Sequence, residues 1–120
     1  MLWKERITDH VKNGFWDKAL RIYYQMQRAG IEPDKLVFLS VIKACGSLSD
    51  LQAGRKVHED IIGAGFESDV FVGNALTSMY AKCGSLQNAR QVFERMPHRD
   101  VVSWTAIIAG HWSFSEWPFS

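Results

Sequence analysis

The side chains that most often carry out chemistry in proteins are few in this sequence and do not cluster. The four histidines are scattered along the chain: His10, His58, His98 and His111. None has a nucleophile or a carboxylate at a catalytic spacing. Cys45 and Cys83 belong to no CxxC or His-Cys cluster, so a zinc site is not expected. We expect both cysteines to be buried free thiols. These residues predict no enzyme, no metal site and no cofactor.

Residues that could hydrogen-bond a ligand recur instead at regular intervals. Asp34, Asp69 and Asp100 lie 35 and 31 residues apart, and each carboxylate is a hydrogen-bond acceptor. Such an aspartate could cap the helix that follows it or accept a hydrogen bond from a bound group, and the spacing leaves both roles open. Residues 29–34 also align with residues 64–69. The repeat therefore involves longer segments of the sequence and not the aspartates alone.

The segments between the aspartates each predict two amphipathic helices joined by a short turn. In the third segment, apolar residues recur every three or four positions on both sides of Gly84, which indicates one buried face for each helix. Gly84 suits the left-handed conformation that ends a helix, and Pro97 ends the next one. The first helix of the second segment is likewise expected to end near residues 45–46. Gly54 stands where other segments have alanine, which predicts close packing of the two helices of this segment.

Helical hairpins of this size cannot bury their apolar faces alone, so they must stack on one another. We therefore predict an all-α fold, an α-solenoid of helix-turn-helix hairpins. Its repeats are residues 1–34, 35–69 and 70–100, an incomplete fourth repeat begins at 101–110, and residues 111–120 form a tail outside the pattern.

Composition and charge agree with a small folded domain. The 120 residues are 47% hydrophobic and 22% charged, which is enough for a core and too apolar for disorder. The formal net charge is +1, so any nucleic-acid site must come from the local arrangement of charge. No apolar run approaches the roughly 18 residues of a membrane span. Residues 1–6 show neither a signal peptide nor the acid-poor, serine-rich character of a transit peptide.

The repeat pattern resembles that of a plant pentatricopeptide repeat (PPR) protein of the PLS subclass, in which P, L and S repeats alternate. Three stretches carry the resemblance: WDKALRIYYQMQRAGIEPD, SVIKACGSLSDLQAGRKVHEDIIGAGFESDVFVGNAL and SMYAKCGSLQNARQVFERMPHRDVVSWTAIIAG. They cover about residues 1–110, and the three repeats correspond to the P, L and S types. Because the fourth repeat is incomplete, the chain resembles a fragment of such a protein. The resemblance implies a right-handed superhelix.

The resemblance also implies binding of single-stranded RNA, with two or three side chains reading one base in each repeat. The implied base-reading residues are the pairs Lys4 with Asp34, Leu39 with Asp69, and Asn74 with Asp100, and Thr105 in the fourth repeat. The Asn74 amide can donate and accept along the edge of a base, and the family pairing of asparagine with aspartate favours uridine. Leu39 has no hydrogen bond to offer.

Other positions are implied to hold the base and the phosphates. The apolar positions that sandwich a base in the family are Leu36, Phe71 and Val102. Stacking on an aromatic platform contributes roughly 1–3 kcal/mol per base. The candidate phosphate contacts are Lys12, Lys43 and Lys82. Without the resemblance, an asparagine near a helix start is more often a cap, and the lysines could be a solvated helix face.

The implied function is that of an adaptor without catalysis in organellar RNA processing, modification or editing, in the mitochondrion or the chloroplast. Its partners would be RNA and other RNA-editing or processing proteins, with no membrane and no small-molecule substrate. Some members of the family carry a zinc deaminase domain, but its His-x-Glu and CxxC motifs are absent here. Two alternatives are a peptide-binding superhelix of the tetratricopeptide kind, which has a period of about 34 residues, and a truncated product without independent function.

Overall fold

Six helices make up residues 3–96, the part of the chain that the computed structural model describes. They are α1 (Trp3–Lys12), α2 (Trp16–Arg28), α3 (Lys35–Leu48), α4 (Leu51–Ala64), α5 (Val70–Lys82) and α6 (Leu86–Arg95). Successive helices pair as hairpin 1 (α1 and α2), hairpin 2 (α3 and α4) and hairpin 3 (α5 and α6). The predicted all-α solenoid of helical hairpins is confirmed. The predicted fourth repeat and the tail lie outside the described residues.

The first helices of the three hairpins form one layer and the second helices form another. In the first layer α3 packs against both α1 and α5, whereas among residues 3–96 no second helix brings a Cα atom within 8 Å of another second helix. A stack whose helices are closer in one layer than in the other curves toward the closer layer. The helices α1, α3 and α5 therefore line the inner side, and we call them the inner layer.

Aromatic rings join neighbouring hairpins in the core. Phe38 of α3 is fully buried. Its ring meets the ring of Tyr23 in hairpin 1 edge-on, with 6.4 Å between the ring centroids, and the ring of Phe66 at 5.8 Å. Because Phe66 follows α4 directly, Phe38 ties both helices of its own hairpin to the hairpin before it.

A second contact between hairpins 1 and 2 links α2 to α4. These helices belong, with α6, to the other layer, which we call the outer layer. The carboxylate of Asp60 on α4 accepts hydrogen bonds from the Tyr23 hydroxyl at 2.7 Å and from Gln27 at 3.0 Å, and it pairs with Lys56 at 2.7 Å. Partial burial alone would raise the pKa of Asp60, but the hydrogen bonds from Lys56, Gln27 and Tyr23 lower it. Side chains thus bridge the wider gap between α2 and α4.

The turns inside the hairpins repeat every 35 residues. Gly14, Ser49 and Gly84 have φ angles of 76°, 53° and 78°, the left-handed region that favours glycine. The helix α3 therefore runs on to Leu48, and the expectation that it ends near residues 45–46 is wrong.

Ser49 occupies the left-handed turn because of a contact between hairpins. Its Oγ donates a hydrogen bond to the carbonyl oxygen of Lys82, at 3.3 Å. Glycine would relieve the backbone at this position but could not make that bond to hairpin 3.

The glycine of the Cys45-Gly46 pair serves helix packing. A Cβ atom on Gly46 would lie 3.4 Å from the Cα atom of Met79 and 3.3 Å from the side chain of Lys82. At Gly54 the close packing is with the next hairpin and not, as predicted, between the two helices of hairpin 2. An added Cβ atom would lie 2.5 Å from the sulfur of Met79 on α5 but 3.9 Å from the Cβ atom of Cys45 on α3. Both glycines let hairpins 2 and 3 approach closely.

Replacing Gly46 with leucine is expected to destabilise the chain by about 1–3 kcal/mol, because the larger side chain would meet the backbone of α5. Gly63 is the matched control, since it also lies near the end of a helix but has open space where its Cβ atom would be. Leucine there should stabilise the helix by up to about 1 kcal/mol. Urea unfolding followed by circular dichroism measures both changes. Equal stability of the two variants would contradict the close approach of α3 and α5.

The cysteine and histidine side chains of the described part range from buried to half-buried. Cys45 and Cys83 are free thiols, the first buried as predicted and the second only half-buried. Burial raises the pKa of Cys45 to about 12. His58 lies with Nδ1 at 2.7 Å from the Tyr80 hydroxyl, and burial lowers its pKa. Among residues 3–96 no three His, Cys, Asp or Glu side chains converge on a metal-binding arrangement. None of the helices described is long and apolar enough to cross a membrane.

Candidate nucleic-acid interface

A groove runs between α3 and α5 on the inner layer. It encloses about 280 Å³ and is lined by Leu39, Ile42, Lys43, Gly46, Ala75, Ser78, Met79 and Lys82. Lys43 on α3 and Lys82 on α5 are exposed, so a cation stands on each side of an apolar floor. The structure thus brings together one predicted base-reading residue, Leu39, and two predicted phosphate contacts.

The aspartates at the repeat boundaries cap the inner helices. Asp34 accepts a hydrogen bond at Oδ1 from the backbone N–H of Val37, at 3.0 Å. Asp69 accepts two at Oδ1, from Phe71 at 2.8 Å and from Val72 at 3.1 Å. The capping role left open by the sequence is therefore present at both positions. In both aspartates the cap uses Oδ1, and Oδ2 has a different partner.

A lysine occupies that second oxygen in both cases. Lys4 Nζ lies 2.5 Å from Asp34 Oδ2, so these two predicted base-reading residues are adjacent. Lys35 Nζ lies 2.7 Å from Asp69 Oδ2. Burial alone would raise the pKa of each carboxyl, but the hydrogen bonds from the lysine and from the backbone lower it. Both aspartates are thus held as carboxylates.

Lys35 is a residue of this site that was not predicted from the sequence. It lies four positions before Leu39, so the two share a face of α3. That spacing from a predicted base-reading residue is the signal that could have identified it.

Apolar side chains stand exposed at the starts of α3 and α5, where a base-sandwiching role was predicted. Leu36 is 50% exposed and Phe71 is 63% exposed. The ammonium group of Lys35 lies over the Phe71 ring, 4.7 Å from its centroid, which is the geometry of a cation–π contact. A flat apolar surface and a cation are therefore available at one end of the groove.

The remaining predicted site residues differ in how the structure places them. Asn74 on α5 is buried, with 8% of its surface exposed, and the next residue, Ala75, lines the groove. Lys12 is exposed at the end of α1. Three predicted residues lie outside the described part: Asp100, Val102 and Thr105.

The arrangement provides exposed cations, hydrogen-bonding groups and apolar platforms along one face. Cations on both sides of the groove can bind phosphate groups, and exposed apolar surfaces can stack on bases.

Comparison with known proteins identifies the repeats. The profile of the PPR repeat matches residues 7–31 and 74–101. A chloroplastic pentatricopeptide repeat-containing protein of Arabidopsis thaliana is 41% identical over 109 residues, which are 91% of this chain and 21% of that protein. A second one from the same plant is 50% identical over 103 residues, or 86% of this chain and 12% of the relative. A mitochondrial one is 36% identical over 109 residues, 91% of this chain and 16% of the relative.

This chain therefore spans between 12% and 21% of the length of these three relatives. The chain thus carries two stretches that match the pentatricopeptide repeat, within a solenoid of helical hairpins, and it is similar along most of its length to plant proteins that contain this repeat.

Proposed function

We propose that this chain binds single-stranded RNA along its inner layer. The observation that carries the proposal is the groove between α3 and α5, which has the exposed Lys43 and Lys82 on its two sides. The exposed Leu36 and Phe71 stand beside it as platforms for bases. Lysines hold the phosphates of a strand without regard to sequence, and apolar platforms stack on bases.

Within this proposal each predicted residue keeps one role. Lys43, Lys82 and Lys12 contact phosphates, and Leu36, Phe71 and Val102 sandwich bases. The base edges meet the pairs Lys4 with Asp34, Leu39 with Asp69, and Asn74 with Asp100, and Thr105 in the fourth repeat. The salt bridge of the first pair supports this assignment, because it places both side chains at the same point of the inner layer.

The biological setting that we propose is organellar RNA processing, modification or editing. The chain would act as an adaptor that delivers RNA to other RNA-editing or processing proteins and does no chemistry itself. Its repeats would be of the P, L and S types within a longer protein. Relatives named chloroplastic and mitochondrial support an organellar location.

A titration with a labelled single-stranded oligouridine of about nine nucleotides tests the proposal. We expect binding that weakens with salt, by roughly 0.7 in the log–log slope for each phosphate contact. A duplex of the same length should bind more weakly, and peptides should not compete. Equal affinity for the duplex, or tight binding of a peptide instead of RNA, would refute the proposal and favour a peptide-binding superhelix.

A further inference from the structure

We propose that hairpin 1 carries a docking surface for an acidic helical segment of a partner protein. The surface is a hollow of about 200 Å³ between α1 and α2, lined by Arg6, His10, Lys18, Arg21, Ile22 and Gln25, which we call the basic hollow. None of these residues lines the groove between α3 and α5. Docking at this surface therefore goes beyond the proposed RNA binding and does not depend on it.

The place of the basic hollow in the stack follows from the repeat. The second helices of the three hairpins begin 35 residues apart, so equivalent positions of neighbouring hairpins are separated by that number. Gln25 in the hollow therefore corresponds to Asp60 in hairpin 2, and His10 corresponds to Tyr80 in hairpin 3. The contacts of these equivalent residues show what the surface is built to hold.

In hairpins 2 and 3 the equivalent surface is covered by the preceding hairpin. Asp60 accepts hydrogen bonds from the hydroxyl of Tyr23 and from Gln27, both on α2, at 2.7 and 3.0 Å. The hydroxyl of Tyr80 lies 2.7 Å from Nδ1 of His58 on α4. The basic hollow is the same surface of hairpin 1, on the side away from hairpin 2. Its shape is therefore that of a seat for helices.

The chemistry of the hollow differs from that of the covered surfaces. Arg6 stands where hairpins 2 and 3 have Val41 and Leu76, whose exposed fractions are 0% and 2%. Lys18 stands where hairpin 2 has Ala53, which is also buried. Both Arg6 and Lys18 are exposed. An apolar helix that covered them would bury their charges without partners, which costs free energy.

The cations of the hollow have no carboxylate partner in the described part of the chain. No ion pair among residues 3–96 includes Arg6, Lys18 or Arg21. The nearby acidic residues Asp9 and Asp17 lie on the same two helices but outside the lining. Carboxylates supplied by a partner would offset the positive charge, and arginine can bind a carboxylate through two parallel hydrogen bonds.

Apolar contact is available beside these cations. Ile22 lines the hollow and is 5% exposed. The half-exposed ring of Phe15 lies 4.9 Å from the ammonium group of Lys18 and 6.1 Å from the ring of His10. This combination fits an amphipathic helix whose acidic residues are three or four positions apart. A nucleic-acid strand would meet the same cations, but the equivalent surfaces of hairpins 2 and 3 seat helices, so the fold favours a helix.

The probe is a fluorescent peptide of about 20 residues, long enough to be helical in water. Glutamates flank a stripe of leucines in it, and alanines fill the other positions. A second peptide has glutamine in place of each glutamate, which keeps nearly the same helix propensity. Fluorescence anisotropy with the full 120-residue chain measures the affinity for both peptides. We expect the glutamate peptide to bind about tenfold more tightly or better at low salt, and added salt should reduce the difference.

Two variants locate the binding surface. Arg6→Glu with Arg21→Glu should weaken binding of the glutamate peptide by about tenfold or more, because like charges would then face each other. Lys43→Glu with Lys82→Glu is the matched control, since it makes the same change in net charge at the groove, and it should retain most of the affinity for the peptide. For a nine-nucleotide oligouridine the order of the two variants should be reversed. All four residues are exposed, and circular dichroism verifies that each variant is folded.

Three outcomes would count against the docking surface. They are equal affinity of the wild-type chain for the two peptides, an equal loss of glutamate-peptide affinity in the two variants, and displacement of that peptide by the oligouridine. The last of these would assign the basic hollow to RNA. If the chain bound the glutamate peptide at the hollow but bound no RNA, the docking surface would stand and only the proposed function would fail.

Discussion

Phe38→Ala is expected to lower the free energy of unfolding by about 3–5 kcal/mol, which is the usual cost of removing a buried phenylalanine ring. The ring is fully buried and contacts Tyr23 on α2 and Phe66 behind α4. Its loss would leave a cavity at the joint between hairpins 1 and 2. Because a solenoid is stable only through contacts between neighbouring repeats, the loss would affect the whole stack. A domain of this size has about 5–15 kcal/mol in total.

Thermal and urea unfolding measure the effect, and Phe15→Ala is its control. Phe15 is half exposed and carries the same side chain in the loop before α2. Its replacement should change stability by no more than about 0.5 kcal/mol, as is typical of surface positions. At about 4–8 °C for each kcal/mol in a small domain, the two melting temperatures should differ by more than about 10 °C. Similar melting temperatures would contradict the described core.

The double replacement Lys43→Glu with Lys82→Glu is expected to weaken RNA binding by about tenfold or more at low salt. A tenfold loss corresponds to about 1.4 kcal/mol of binding free energy. The two lysines stand on opposite sides of the groove, and glutamates there would repel the phosphates that the lysines attract. If both contact phosphates, the slope of log affinity against log salt should also fall by about 1.4, twice the ~0.7 of each contact. Fluorescence anisotropy over a range of salt concentrations measures both quantities.

The control for this variant is Lys18→Glu with Arg21→Glu, which makes the same change in net charge. Both residues lie on α2 and line a separate hollow outside the groove. This variant should retain most of the salt slope, and its loss of affinity should be smaller. If the two variants lost the same affinity and the same slope, the RNA would be responding to the total charge of the chain and the groove would not be its binding site.

The fold follows from the sequence to the extent that it depends on local pattern. Apolar spacing and the recurring aspartates predict paired helices, and six helices with caps at Asp34 and Asp69 are present. The end of α3 was predicted wrongly because the Cys45-Gly46 pair repeats the Cys83-Gly84 pair that does form a turn. Gly46 is needed for contact with α5, and Ser49 makes the turn. The sequence does not distinguish a glycine that forms a turn, such as Gly84, from one that allows close helix contact, such as Gly46. The distinction depends on the tertiary packing.

The candidate site was predictable where it depends on the repeat register and unpredictable where it depends on contacts between hairpins. Leu39, Lys43 and Lys82 meet in one groove because they lie on facing sides of stacked helices. The pairing of Lys35 with Asp69 joins the start of one inner helix to the start of the next, a distance that no local pattern encodes. The burial of Asn74 likewise depends on packing around α5.

The side-by-side packing of α1, α3 and α5 sets a length scale for anything that lies along them. Packed helix axes are about 8–10 Å apart, whereas successive nucleotides in a stacked strand rise by only about 3.4 Å. A strand with one nucleotide for each hairpin would have to be pulled out to more than twice its stacked rise. Its bases would lose their contacts with one another and gain Leu36 and Phe71 as neighbours in their place. A double helix, whose rise is fixed by that stacking, could not follow the same track.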